Sequence, residues 1–381
     1  MAAEPVALPR ADEEGQSFGM NPEYVIGRLI NSGGFGVIKE ARTINNGQEI
    51  VRAVKIVRKP QVDGGGRGGV AKVEEDRDSE KAQHALEHEV SVWRWLNHRH
   101  ILKLHVTFDT EFATFCVMDL NIGGTLFDLL RKSRREAGQN NGRKGLDPKL
   151  AKAYAWQLAC ALRYLHQDMK VCHRDIKLEN CLIDTTVIDP ETGAGNLRVC
   201  DFGLADFLHH DGSIIDDDDE VEEDLEHSIT ITPGMHDSMH GIPQPTNPTA
   251  GSPISHPGRT SSIIGTLEYA SPKGLSVNRK LFETAGDIWA YGVIVYALCT
   301  GELPFRHPMP SRTAELILRA DWDVQALKEA AAGGDAVLEL VSGCLEREVE
   351  LRGTVGDVVG CGWFEGCREA GDGGIDEAVV W

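Results

Sequence analysis

The chain has 381 residues, 41% of them hydrophobic, and a formal net charge of -20. That length exceeds what one hydrophobic core usually serves, so two lobes are expected, and the acidic balance argues against nucleic acid and acidic membrane surfaces while favouring basic partners. Ile288 to Cys299, the longest apolar stretch of the C-terminal half, falls short of the roughly twenty residues of a bilayer span; the 9 scattered cysteines form no Cys-x-x-Cys pair, and Met1 to Arg10 lacks a leader pattern, so an intracellular address is expected.

Residues 1–23 are rich in Ala, Pro, Glu and Gly without periodicity, which predicts a disordered lead. From Tyr24 to Val57 apolar residues recur at strand spacing, broken at Asn31 to Gly36 and at Asn45-Asn46-Gly47, and two hairpin-connected strand pairs are the natural expectation. After a Gly-rich loop from Pro60 to Gly69, Glu74 to Asn97 carries helical spacing through Leu86, Val90, Trp93 and Leu96. Leu102 to Phe108 and Thr114 to Leu120 fit two more strands. Beyond Gly123-Gly124 helices dominate, at Leu126 to Glu136, Leu150 to Gln167 and Thr284 to Thr300. Two segments lack regular patterning: Asp184 to Asn196, and a longer stretch from His209 to Pro257. In the latter, nine of the eleven residues from Asp216 to Glu226 are acidic, and a disordered insert is expected over 209–257.

Gly33, Gly34 and Gly36 sit at the first hairpin turn, where backbone amides can approach phosphate oxygens. A plain turn has the same composition, so the signal gains weight only from residues further along the chain. Arg52-Ala53-Val54-Lys55 places one lysine in an apolar strand, and a buried ammonium is costly unless an anion meets it. Glu89, on the next helix, is the candidate partner. Further on come His173-Arg174-Asp175-Ile176-Lys177-Leu178-Glu179-Asn180 and, after a strand-like Leu197 to Cys200, Asp201-Phe202-Gly203.

Together and in this order, these motifs resemble the signature set of the eukaryotic protein kinases, of the serine/threonine type. The resemblance covers about Tyr24 to Phe364 and implies an α+β, bilobal fold: a small antiparallel sheet with one main helix (24–118), a hinge (119–122) and a mainly helical lobe (123–365), followed by a tail (366–381). It implies ATP and Mg²⁺ as cofactors, with the work lying in positioning and charge neutralisation. Asp175 would accept the proton of a protein hydroxyl, Lys177 would face the γ-phosphate, and Asn180 and Asp201 would supply hard oxygen ligands to Mg²⁺. Lys55 and Glu89 would hold the phosphates. Ile30, Ile38, Ala53 and Leu182 would enclose the adenine, with Met118 as gatekeeper and Asp119 to Asn121 as its hinge. His173, Phe202, Trp93 and Leu104 would stack as a spine. Gly265-Thr266-Leu267-Glu268-Tyr269-Ala270-Ser271-Pro272 looks like a substrate-docking segment, with Thr266 in a catalytic role, and Asp287 would bond the amides of the catalytic loop. Lys177 marks the serine/threonine pattern, and Glu179 implies substrates that are basic around the phosphoacceptor.

The match departs from the family in four places. Asn31 replaces the leading glycine of the phosphate loop. Lys273 stands where a glutamate normally pairs with the closing arginine, here Arg352, so rearrangement or a substitute carboxylate is expected. Arg174 implies control by phosphorylation, with Ser262 at the acceptor position, yet Asp206 replaces a cation that would help hold the phosphate. Lastly, the enlarged activation segment holds the acidic run, expected either to occupy the Arg174 region, to dock a basic partner, or to be solvated. The alternatives to an active kinase are a pseudokinase scaffold and an enzyme phosphorylating a small molecule.

Overall fold

The computed structural model describes residues 12–20, 23–33, 36–59, 70–138, 142, 144–208, 267–275, 284–331 and 334–367. Gly34, Ser262 and Thr266, together with the expected insert and tail beyond 367, lie outside the described residues.

The N-terminal part is a six-stranded antiparallel sheet in the order β1-β2-β3-β4-β6-β5. Its strands are β1 (Ser17–Phe18), β2 (Tyr24–Gly33), β3 (Gly36–Asn45), β4 (Gln48–Arg58), β5 (Leu104–Asp109) and β6 (Ala113–Met118). β2, β3 and β4 form a continuous meander rather than two separate hairpin pairs. The Asn46-Gly47 turn makes this possible, since both residues adopt left-handed angles, φ 49° and 77°, as the tightest hairpin connections require. On one face of the sheet lies α1 (Val70–Trp93), whose Ala82, Leu86, Glu89, Val92 and Trp93 form a buried stripe at helical spacing.

Residues 12–20 depart from the expected disordered lead. Ser17 and Phe18 pair with Val25 and Tyr24, and the buried Asp12 takes both oxygens to Arg58 Nη2, at 2.8 and 2.9 Å. Phe18 explains the ordering. Its ring stacks on Phe115 at 4.6 Å and on Tyr24 at 5.5 Å, closing an aromatic cluster on the face of the sheet away from the main core. Phe18, the one aromatic residue of this segment, is the local signal of it.

The C-terminal part is built around α4 (Thr284–Thr300), buried on all sides from Asp287 to Cys299. A helix apolar all round belongs at the centre of a core. Around it pack α3 (Pro148–Arg163), α6 (Val324–Ala330) and α7 (Asp335–Cys344), while α2 (Leu126–Arg135), α5 (Pro310–Arg319) and α8 (Val355–Gly360) complete the set among the described residues. α3 begins with Asp147 as N-cap and Pro148 in its first turn. It widens at its end into a π turn, Tyr164–Asp168. Two short antiparallel ribbons complete this part: β7 (Val171–Cys172) with β10 (Asp206–Phe207), and β8 (Cys181–Asp184) with β9 (Asn196–Val199). No described helix is long and apolar enough to cross a membrane.

Candidate active site

β4 supplies the first functional group. Ala53 and Lys55, two residues apart, share a face of the sheet, and their register partners Met118 and Cys116 on β6 are fully or nearly buried. Lys55 Nζ donates to Glu89 Oε2 at 2.5 Å. Burial pushes the Glu89 carboxyl upward; Lys55 opposes this without cancelling it, while the charge of Asp201 adds to the upward shift.

The turn between β2 and β3 is shaped at Gly36, where φ is 137° and a Cβ would lie 2.4 Å from the Ile56 carbonyl oxygen; only glycine fits. Asn31 needs no unusual backbone. It pairs with Ile38 within β2 and accepts the Ser32 N–H on its Oδ1 at 2.8 Å. Ile30 is exposed, whereas Ile38 and Leu182 are partly buried against the core.

The loop after β7 supplies the second group. Asp175 Oδ2 accepts from Lys177 Nζ at 2.6 Å and from Asn180 Nδ2 at 3.0 Å. Asn180 Nδ2 also donates to the Asp175 carbonyl at 2.9 Å. With its nitrogen so committed, Asn180 presents Oδ1 as the atom for a hard cation. Asp201 is exposed with φ 69°. An amide oxygen and a carboxylate form a donor set that fits Mg²⁺.

The backbone of this loop hangs on one carboxylate from α4. Asp287 is 1% exposed; it accepts the His173 and Arg174 N–H groups and His166 Nε2, each at 2.8 Å, and the Cys172 thiol at 3.4 Å. Burial alone would raise this carboxyl, but the hydrogen bonds from His166 and the His173 amide hold it below the usual carboxylate range. The same anchoring tolerates Arg174 at φ 66°, a backbone state that costs a non-glycine residue about 1–2 kcal/mol. Sequence reasoning misses His166. It is a polar residue within an apolar helical run, and only the π turn at the end of α3 aims it at Asp287.

His173 accepts the Asp175 N–H on Nδ1 at 3.3 Å and therefore carries its proton on Nε2, which donates to the Cys200 carbonyl at 3.1 Å. Its ring lies 5.0 Å from Phe202, and Phe202 lies 6.3 Å from Trp93. Leu104 packs against the same core. The stack joins both parts of the molecule. Burial raises the Cys172, Cys181 and Cys200 thiols, so none is poised as a thiolate.

Two charges behave differently from expectation. Arg174 Nη2 reaches Asp206 Oδ2 at 3.2 Å, so the residue that replaces a second cation acts instead as a counter-ion. Arg352 does not face a destabilising like charge without compensation. It donates to the carbonyls of Glu346, Ala285 and Arg347 at 2.8, 2.9 and 3.2 Å, and its guanidinium lies 5.0 Å from the Trp289 ring centroid. Among the described residues, these carbonyls and this π face meet the cation.

A family model described as "Protein kinase domain" matches residues 24–221 and 250–364. The chain belongs to the protein kinase family. The interruption of the match falls inside the expected insert. Among similar curated kinases, serine/threonine-protein kinase DCLK2 of Rattus norvegicus is 29% identical over 350 residues, covering 91% of this chain and 35% of the relative. CBL-interacting protein kinase 29 of Oryza sativa subsp. japonica is 30% identical over 302 residues, covering 78% and 51%. Serine/threonine-protein kinase cds1 of Schizosaccharomyces pombe is 25% identical over 364 residues, covering 94% and 62%. The chain therefore spans about a third of the length of the DCLK2 kinase and between half and two thirds of the other two.

Proposed function

We propose that the chain transfers the γ-phosphoryl group of ATP to serine or threonine hydroxyls of protein substrates, in signalling. What supports this is two paired sets, Lys55 with Glu89 and Asp175 with Lys177 and Asn180, together with the contact of Phe202, next to Asp201, with Trp93 on the helix that carries Glu89. Lys55, oriented by Glu89, binds phosphate oxygens as a point charge. Asp175 orients the incoming hydroxyl and takes its proton at Oδ2 as the oxygen attacks phosphorus. Lys177 neutralises charge spreading over the moving phosphoryl group. Asn180 and Asp201 would hold Mg²⁺, which would offset the charge of the phosphate groups. Ile38, Ala53, Leu182 and Met118 enclose the adenine, the backbone of Asp119 to Asn121 pairs with its edge, and the glycine turn covers the phosphates.

A preference for basic substrates belongs to the same proposal. Glu179 is half-buried with an Oε2 that accepts no hydrogen bond, and burial raises its carboxyl; a substrate arginine or lysine would supply the missing countercharge. Phosphate on Ser262 would replace Asp206 at Arg174, and the acidic insert would dock a basic partner. The cysteines are all free thiols, with Cys116, Cys172, Cys181, Cys299 and Cys344 buried, which fits an intracellular, reducing compartment.

The scaffold alternative rests on Asn31, Lys273 and the enlarged activation segment. Asn31 has no left-handed backbone angle and Arg352 has carbonyl and aromatic company, so neither of these two argues against turnover; the enlarged segment lies outside the described residues. Transfer of radiolabelled phosphate from ATP to basic peptides with Mg²⁺ tests the proposal. Wild type should label them and Asp175→Asn should not; equal, background-level labelling by both would leave the scaffold.

A further inference from the structure

The expected adenine hinge is held from outside by charges that phosphoryl transfer itself does not engage. Asp119 faces the small sheet, accepting on Oδ1 from Arg52 Nη1 of β4 at 2.8 Å and from His105 Nε2 of β5 at 2.7 Å. Asn121, two residues on, faces the other lobe: its Oδ1 accepts from Arg198 Nη1 of β9 at 3.1 Å. The same guanidinium nitrogen lies 3.0 Å from Asp184 Oδ2 and 3.9 Å from Asp119 Oδ2. All of these groups are largely shielded, the Arg198 side chain being 18% exposed and those of Asp119 and Asp184 17% and 12%. Shielding makes charge-assisted bonds stronger than surface ion pairs.

The consequence for the hinge backbone is directional. With Oδ1 of Asn121 held by Arg198, its Nδ2 turns back to the Asp119 carbonyl at 3.5 Å, so the amide spans the short stretch whose carbonyl and N–H would meet adenine. Arg198 also stands directly opposite Leu182 in the β8–β9 register, and residues directly opposite one another in an antiparallel ribbon occupy the same face. One cation is therefore adjacent both to the expected floor of the adenine slot and to its rim.

We infer that Arg198 is a positioning residue for the nucleotide base: by tying Asn121 and Asp119 to Asp184, it sets the hinge backbone in the orientation that receives adenine. The inference deepens the proposed ATP-dependent activity and rests on it. Arg198 touches neither the phosphates nor the proton acceptor Asp175, so its loss should weaken base binding and leave the chemical step nearly untouched.

The test uses the full chain and three probes: adenosine, Mg·ADP and inorganic tripolyphosphate with Mg²⁺. Arg198→Ala should raise the Kd of adenosine and of Mg·ADP by roughly tenfold, as for one charge-assisted bond, while tripolyphosphate affinity stays within about twofold. In turnover, the KM for ATP should rise by a similar factor and kcat change little. Arg198→Lys, which keeps the charge but not the fork, should recover part of the loss. Asn121→Ala breaks the hinge end of the link without removing the buried cation, and its effect should not add to that of Arg198→Ala. The inference is overturned if adenosine and tripolyphosphate affinities fall together with the melting temperature, which would mark a general structural role, or if both variants bind Mg·ADP as wild type does. Wild type that binds no nucleotide would overturn the proposed activity as well, and is told apart by that result alone.

Discussion

The two halves of the candidate site are held by opposite means. In the large lobe, the catalytic loop is suspended from a buried carboxylate: Asp287 gathers two amides, a histidine and a thiol onto one side chain of a helix that is itself surrounded by core. In the small lobe, the strand that leads into the glycine turn is exposed from Leu29 to Gly33, and its pairing with β3 is shifted between Ile26 and Leu29 and again between Leu29 and Asn31. In the proposed mechanism, a proton acceptor held at a fixed point benefits from burial and many partners, whereas a strand leading to a phosphate-covering turn does not need them.

The strongest contrast comes from breaking the chemistry without the frame. Asp175→Asn should cut phosphoryl transfer by roughly two to four orders of magnitude with little change in melting temperature, read by initial rates and thermal unfolding. Asp287→Ala should break the frame itself. Removing the acceptor strands the His173 and Arg174 amides and His166 in a dry site, so a loss of about 3–5 kcal/mol is expected from chemical denaturation. In the small lobe the counterpart is Phe18→Ala, which opens the aromatic cluster at the sheet edge; about 3 kcal/mol should be lost. A cost near zero there would show that residues 12–20 add nothing to the sheet.

Acid offers a gentler and graded test between the lobes. His100 is 5% exposed, donates from Nδ1 to the Leu197 carbonyl at 3.0 Å, and burial depresses its pKa from 6.5 to about 3. Because the unfolded chain binds this proton first, the contribution is complete above pH 6.5 and is lost as pH falls towards 3. Between pH 6.5 and 5 the wild type should lose about 2 kcal/mol from this group, a slope that His100→Asn should flatten in urea titrations. The exposed turn should respond least of all. Asn31→Gly should change stability by less than about 1 kcal/mol and leave the KM for ATP nearly unaltered, because Asn31 already sits in strand geometry.

Much of this is legible in the sequence, and unevenly so. Thr284 to Thr300 is readable with its observed bounds, because an unbroken apolar run with one acidic residue has few other fates. Lys55 and Glu89 are legible as a pair because a lone lysine in an apolar strand demands an anion. Phe18 is hidden in a segment whose average composition resembles disorder, and the three strands from Tyr24 read as two pairs because the glycine turn and the Asn46-Gly47 turn carry similar signals. His166, Asp206 and Arg198 escape sequence reasoning as partners of Asp287, Arg174 and Asn121. They lie 121, 32 and 77 positions from those partners, and no local pattern reports a meeting at such distance.

Family, order of elements and the residue types able to bind phosphate are all written along the chain, because periodicity and short motifs are local properties. Which charge meets which is settled in three dimensions alone: among the described residues Arg352 meets carbonyls and a tryptophan ring, Asp206 faces Arg174, and Arg198 reaches the hinge. Those choices depend on burial and on distances of a few ångströms between remote segments, where desolvation makes each pairing costly to leave unmade and packing selects a single partner.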